Sequence, residues 1–89
     1  MRRQKAPDGG SVRLNYYIVK ESKFYEELDL EMDCYGIEIE KVEDDGEKYE
    51  RSEIKDISCV EEKVLRLAEL LKRNQVFPVH LKEIVEDFI

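Results

Sequence analysis

The chain has 89 residues, 42% of them hydrophobic and 42% charged, with a formal net charge of −7. That balance is too polar for a membrane span and too rich in apolar side chains for a wholly disordered chain. One small domain of this size buries roughly 60–65% of its extended surface, and its acidity disfavours nucleic acid phosphates and anionic lipid while suiting basic protein surfaces.

The charge is unevenly spread. Arg2, Arg3, Lys5 and Arg13 against Asp8 give the first 13 residues 4 − 1 = +3, so the remainder carries −10. Residues 1–10, with Pro7, Gly9 and Gly10 and no apolar period, read as a flexible basic lead-in, and residues 11–89 as a single α+β domain. The opening residues lack an apolar export segment, so a cytoplasmic location is expected. Cys34 and Cys59 lie 59 − 34 = 25 positions apart, without a C-x-x-C pair. This spacing fits neither a disulfide framework nor a zinc site, and free buried thiols are expected.

From Ser11 to Glu21 the chain is β-branched and aromatic, with Val12, Leu14, Tyr16 and Ile18 on one side and Tyr17 and Val19 on the other, which predicts a strand. Lys20-Glu21-Ser22-Lys23 reads as a polar turn. Leu28, Leu30 and Met32 then alternate with Glu27, Asp29, Glu31 and Asp33 at period two. The alternation slips at Cys34-Tyr35-Gly36, because Ile37 and Ile39 continue it out of phase. A β-bulge at Gly36 restores the apolar side to the core, giving one long bent strand from about Leu28 to Val42; a tight turn at Gly36 is the alternative. Asp44-Asp45-Gly46 signals a hairpin turn, returning through Lys48-Tyr49-Glu50-Arg51 as a short polar edge strand.

Ser58-Cys59-Val60-Glu61 has the form of a capping box, which predicts a helix start. Its stripe is Val60, Val64, Leu67, Ala68 and Leu71, widened by Leu65 and Leu70, and it ends near Asn74-Gln75. Pro78 pre-sets the first turn of a second helix striped by Leu81, Ile84, Val85 and Phe88. The expected architecture is an antiparallel β-meander of three to four strands with both C-terminal helices packed on one face. That packing should bury Leu28, Leu30, Met32, Ile37, Ile39, Val64, Leu67, Leu71, Leu81, Ile84 and Phe88 and leave the other sheet face wet and acidic.

From about Tyr16 onward the chain resembles a family of small uncharacterised proteins of anaerobic Gram-positive bacteria. The resemblance rests on Tyr35-Gly36-Ile37-Glu38-Ile39, Asp56-Ile57-Ser58, Pro78-Val79-His80-Leu81 and Val85-Glu86-Asp87-Phe88. It implies a shared fold and brings no activity, cofactor or catalytic residue with it.

Several residues invite a chemical role. His80 is the single histidine and stands beside Pro78, where capping a helix or orienting the chain suits it better than general-base work. A cysteine–histidine dyad would need an orienting third group and an electropositive setting that this sequence does not provide. The acids of Glu43-Asp44-Asp45-Gly46-Glu47 lack the fixed alternate ligand spacing of a calcium loop and read as a solvated turn, so no metal or other cofactor is expected. The second helix sets Lys82 against Glu83, Glu86 and Asp87, which argues against a DNA-recognition helix.

From Glu26 to Glu50, twelve acids face Lys41 and Lys48, a balance of 2 − 12 = −10. Glu27, Asp29, Glu31, Asp33, Glu38 and Glu40 are the candidate partner-binding acidic face, since a row of like charges on a sheet costs a few tenths of a kcal/mol per close pair unless something basic offsets it. The functional expectation is a small acidic protein-interaction or regulatory module without catalytic activity, bound to a basic protein surface or to itself. A homodimeric structural protein and a nucleic-acid-mimicking inhibitor of a basic protein are the alternatives.

Overall fold

The computed structural model of the chain describes residues 12–43 and 46–88. The basic lead-in, Ser11, the Asp44-Asp45 half of the acidic turn and the terminal Ile89 lie outside the described residues. β1 (Val12–Tyr25), β2 (Leu30–Glu43) and β3 (Lys48–Ser58) form one antiparallel sheet in the order β1-β2-β3, followed by α1 (Glu61–Arg73) and α2 (Leu81–Phe88). Gly46, at φ 94°, takes the left-handed backbone of the turn joining β2 to β3, where a glycine carries no side-chain penalty.

Both helices cover one face of this sheet, as the period of their stripes predicts. Ile37 and Ile39 from β2 meet Val64, Leu67 and Leu71 from α1 and Leu81 and Val85 from α2 in a single buried cluster. Each such side chain contributes roughly 1.5–3 kcal/mol on leaving water. Leu14, Tyr16 and Ile18 of β1 close the cluster at its margin, as does the half-buried Ile84. Leu65 and Leu70, which widen the α1 stripe in sequence, are 47% and 44% exposed and belong to the helix's outer flank.

The link between the helices is built from backbone hydrogen bonds. Beyond Arg73 the chain turns through Gln75 at φ 51°, with Gln75 N–H donating to the Lys72 carbonyl and Val76 N–H to that of Leu71, the paired bonds of a Schellman cap. Val76 then packs against the core, and its carbonyl accepts a 3.0 Å hydrogen bond from the Tyr16 hydroxyl. Pro78 opens a 3-10 turn, Pro78–His80, that leads directly into α2.

The turn expected at Lys20–Lys23 is instead part of β1. These residues pair in unbroken register with β2, from Lys20 opposite Tyr35 to Lys23 opposite Met32. Their polarity is that of an exposed ribbon: Ser22 Oγ donates to Asp33 at 2.9 Å, and Lys20 Nζ lies 3.6 Å from the same carboxylate. Reversal occurs later, in a 3-10 turn Glu26–Leu28 closed by Asp29 at φ 50°, a conformation that Asp tolerates better than most residues.

Leu28, expected to begin a buried strand, therefore sits in that turn and is 68% exposed; Leu30 is 45% exposed. Phe88, expected in the core, is 47% exposed at the end of α2. Met32 is only partly buried.

An irregularity does fall at Gly36, but its extra residues are on β3 and β2 itself runs straight, so Leu30 and Met32 face the side opposite Ile37 and Ile39 instead of being restored to the core side as expected. Tyr35 faces Ser58 and Ile37 faces Ile54, so Lys55, Asp56 and Ile57 all stand against Gly36 alone, while the β1–β2 register runs straight through. β3 is thereby longer than the short polar edge strand expected, and its Ile54 and Ile57 pack at the core margin. A bulge in the partner strand brings its backbone onto the centre of β2, and glycine is what leaves room.

The capping box at Ser58 does not form. Val60 is the N-cap of α1 without a side-chain bond, and Ser58 Oγ instead accepts the Val60 N–H at 3.0 Å. Ser58 is still the last residue of β3, two residues before the N-cap, which puts its hydroxyl too early to reach the first helical turn.

Candidate functional site

Successive side chains of a strand point to opposite sides of its sheet, and this divides the six acids of the candidate acidic face. Glu31 and Asp33 share the side of Ile37 and Ile39, the helix-bearing side; Glu38 and Glu40 point to the opposite, uncovered side; Glu27 and Asp29 lie in the turn between β1 and β2. They form no continuous row. Local partners also engage several of them. Arg51 Nη1 lies 3.3 Å from Glu38 Oε2, and Glu40 Oε1 accepts hydrogen bonds from Asn15 Nδ2 at 2.9 Å and the Tyr17 hydroxyl at 3.2 Å. The Asn15 amide first, then the Tyr49 and Tyr17 hydroxyls, hold the Glu40 carboxyl below its ordinary range. The uncovered face is therefore a mixed surface on which Tyr17 and Tyr49 stand 45% and 55% exposed, and not a purely acidic one.

The register places something else in view. The last pairing between β2 and β3 is Tyr35 with Ser58, whereas β1 and β2 continue together for the positions from Glu21↔Cys34 to Tyr25↔Leu30. Those rungs make a two-stranded arm reaching roughly 16 Å past the three-stranded sheet, at about 3.3 Å per residue. A lone two-stranded ribbon has no core of its own, yet this one ends in Phe24, Leu28 and Leu30, which are 59%, 68% and 45% exposed. Phe24 and Leu30 point to opposite sides and Leu28 caps the end. Glu26, Glu27, Asp29 and Glu31 surround them, all exposed.

At the base of the arm the fold gathers residues that are far apart in sequence. Cys59, in the link between β3 and α1, brings its Sγ to 3.3 Å from that of Cys34 in β2. Cys34 is buried and Cys59 is exposed, so the expectation of two buried thiols holds for one and fails for the other, because Cys59 falls in the surface link that precedes α1. Neither is in a disulfide. Asp56, at φ 58° in the β3 bulge, is held by the Lys23 ammonium and lies beside Cys34. The Cys34 thiol is pushed up to about 11, first by its hydrogen bond with Cys59, then by desolvation and by Asp56, with the Tyr25 hydroxyl pulling the other way. Lys23 first and Cys34 second hold the Asp56 carboxyl below its ordinary range.

The protein-family comparison matches all of residues 1–89 to a family described as a family of unknown function, DUF6514. The chain belongs to that family. No curated protein and no solved structure matches it.

His80 stands in the 3-10 turn before α2 with its Nδ1 3.8 Å from Glu83 Oε1, while the groups acting on Cys34 are Cys59, Asp56 and Tyr25. The helix-capping role expected for the His80 side chain is not what holds the turn: its backbone N–H, donating to Phe77, does so. Among the described residues no group of three or more His, Cys, Asp or Glu side chains is gathered as metal ligands would be, and no helix is long and apolar enough to cross a membrane. Sequence reading missed the arm and the thiol pair alike. The arm hides because its apolar residues share the alternation of a core strand, and the pair because a bulge and a strand-to-helix link decide where Cys59 falls.

Proposed function

We propose that the chain is a protein-interaction module without catalytic activity, and that it docks through the arm. The observation that carries this reading is the exposure of Phe24, Leu28 and Leu30 at the end of a ribbon that does nothing for the core. Soluble domains usually bury such side chains, and three of them exposed around the end of one ribbon, on both its sides and its tip, mark a contact element. The ring of Glu26, Glu27, Asp29 and Glu31 suits a protein with an apolar pocket rimmed by lysine or arginine. This keeps the expected basic partner and moves the contact from a sheet face to the arm's end. Two copies meeting end to end would bring these carboxylates together, which disfavours self-association there. A nucleic-acid-mimicking role is disfavoured by the division of Glu31 and Asp33 from Glu38 and Glu40. A cytoplasmic setting and the anaerobic Gram-positive source implied by the sequence resemblance belong to the same proposal.

One observation favours a second reading, a homodimer through the helices. A groove of about 340 Å³ between α1 and α2 is lined by Leu67, Leu70, Leu71, Val76, Ile84 and Phe88, with Asn74 and Asp87 as its polar members. Leu70 and Phe88 are 44% and 47% exposed on its flanks. Photo-crosslinking in the source cells separates the two. A crosslinker at position 28 is expected to capture a different, basic protein, one at position 49 to capture nothing in common with it, and one at position 70 to leave the chain uncoupled to itself. Self-coupling from position 70 with nothing captured from position 28 would replace the first reading with the second.

A further inference from the structure

We infer that Cys34 and Cys59 form a dithiol site that closes to an intramolecular disulfide by exchange with a small-molecule disulfide. The geometry is the argument. The two sulfur atoms lie 3.3 Å apart, although the residues are separated by 25 positions. They join the central strand to the link preceding α1, so closure ties the base of the arm to the helical layer. Their environments differ in the way a two-step exchange needs: Cys59 is open to solvent and Cys34 is enclosed. A recess of about 180 Å³, lined by Cys34 with Val19, Lys20, Glu21, Glu53, Lys55 and Asp56, lies on the Cys34 side of the pair, and Cys59 meets solvent outside it.

Exchange then proceeds in a fixed order. The Cys59 thiolate attacks one sulfur of the small disulfide, forming a mixed disulfide and expelling one thiolate. The Cys34 thiolate attacks Cys59 Sγ, forming the Cys34–Cys59 bond and expelling the second. The protein loses two electrons, the reagent gains two, and the protons of Cys34 and Cys59 end on the two released thiols. Enclosure of Cys34, which is 1% exposed, keeps it from attacking first.

The test uses the full chain, reduced and freed of reductant, treated with glutathione disulfide and followed by intact mass and by peptide mapping. The wild type is expected to lose two hydrogens, retain no adduct, and yield a peptide crosslinked between Cys34 and Cys59. Cys34→Ser should stop at a stable glutathione adduct on Cys59. Cys59→Ser should react at least tenfold more slowly than wild type while keeping its circular dichroism spectrum. A wild type that ends as an adduct on Cys59 or as a disulfide-linked dimer would overturn the inference, as would a folded Cys59→Ser chain that reacts as fast as wild type.

Discussion

Gly36 and Ile54 approach so closely that a Cβ on Gly36 would lie 2.1 Å from the Ile54 carbonyl oxygen and 2.7 Å from Lys55 Cα. Both obstacles are backbone, which cannot swing aside as a side chain does. The bulged segment Lys55–Ile57 is what presses β3 onto this point. Gly36→Ala must therefore displace the strand that carries Asp56 and leads to Cys59. A loss of about 3 kcal/mol is expected, at the upper end of overpacking costs, out of a total of roughly 5–15 kcal/mol for a native domain. Urea denaturation monitored by circular dichroism checks it, and Gly46→Ala, where nothing lies within 4 Å but φ is 94°, should cost less.

Gln75 holds a left-handed backbone at φ 51° in the Schellman cap of α1. A residue with a Cβ is penalised there, and glycine is not. Gln75→Gly is expected to stabilise the protein by about 0.5–1 kcal/mol, less the added freedom of its unfolded chain. A thermal midpoint that rises by a few degrees, with an unchanged far-ultraviolet spectrum, is the expected readout.

Asp56 and Glu40 both have carboxyls held below their ordinary range, Asp56 first by Lys23 and Glu40 first by Asn15. A depressed folded value means that the folded state prefers the ionised form. The stabilisation is therefore complete above the ordinary carboxylate range and is lost as pH falls through the depressed values. Lys23, raised chiefly by its bond to Asp56, acts in the opposite sense: its contribution is present below the ordinary lysine range and lost as pH rises through the raised value. From Asp56, Glu40 and Lys23 alone stability is flat between these limits, and the raised Cys34 thiol, protonated in the fold, adds a loss as pH rises from the ordinary thiol range toward about 11. Both carboxyls are surface-accessible, so their effect is modest. Urea midpoints measured from neutral pH downward should fall more steeply for wild type than for the Lys23→Gln, Asp56→Asn double variant.

A bridge between Cys34 and Cys59 would close a loop spanning 25 positions, for which loop entropy gives about 3 kcal/mol if the native geometry accepts the bond. The oxidised chain should melt several degrees above the reduced one, and Cys59→Ser should show no difference between oxidising and reducing buffer.

Local chemistry made the elements legible and left their partners hidden. The stripe Val64, Leu67 and Leu71, the alternation ending in Ile37 and Ile39, and Pro78 before α2 each name an element from its own residues, and each is where the pattern puts it. Leu28 and Leu30 carry the same period-two signal, but alternation reports only which side of a strand is apolar. Leu28 falls in the turn between β1 and β2, and Leu30 points to the side of the sheet that the helices do not cover. The Lys20–Lys23 segment looked like a turn because it is polar, and an exposed ribbon is polar for the same reason. Ser58 illustrates the limit at short range: its spacing to Glu61 is right for a capping box, and the helix begins two residues too late for the hydroxyl to serve. The thiol pair depends on the bulge at Gly36 and the link after Ser58, neither of which the cysteine spacing encodes.

The arm's role as the docking element is tested most directly by the affinity of the partner captured at position 28, measured at low and physiological salt. The same titration is repeated with Phe24→Ser, Leu28→Ser, and the Glu38→Gln, Glu40→Gln pair on the uncovered face. Burying one such apolar side chain is worth roughly 1.5–3 kcal/mol, so each arm variant should weaken binding by about tenfold or more, since about 1.4 kcal/mol is a factor of ten. Binding should also weaken as salt screens the carboxylates around the tip, and the face variant should bind like wild type. Unchanged affinity in Phe24→Ser and Leu28→Ser, with loss in the Glu38→Gln, Glu40→Gln pair, would contradict the account.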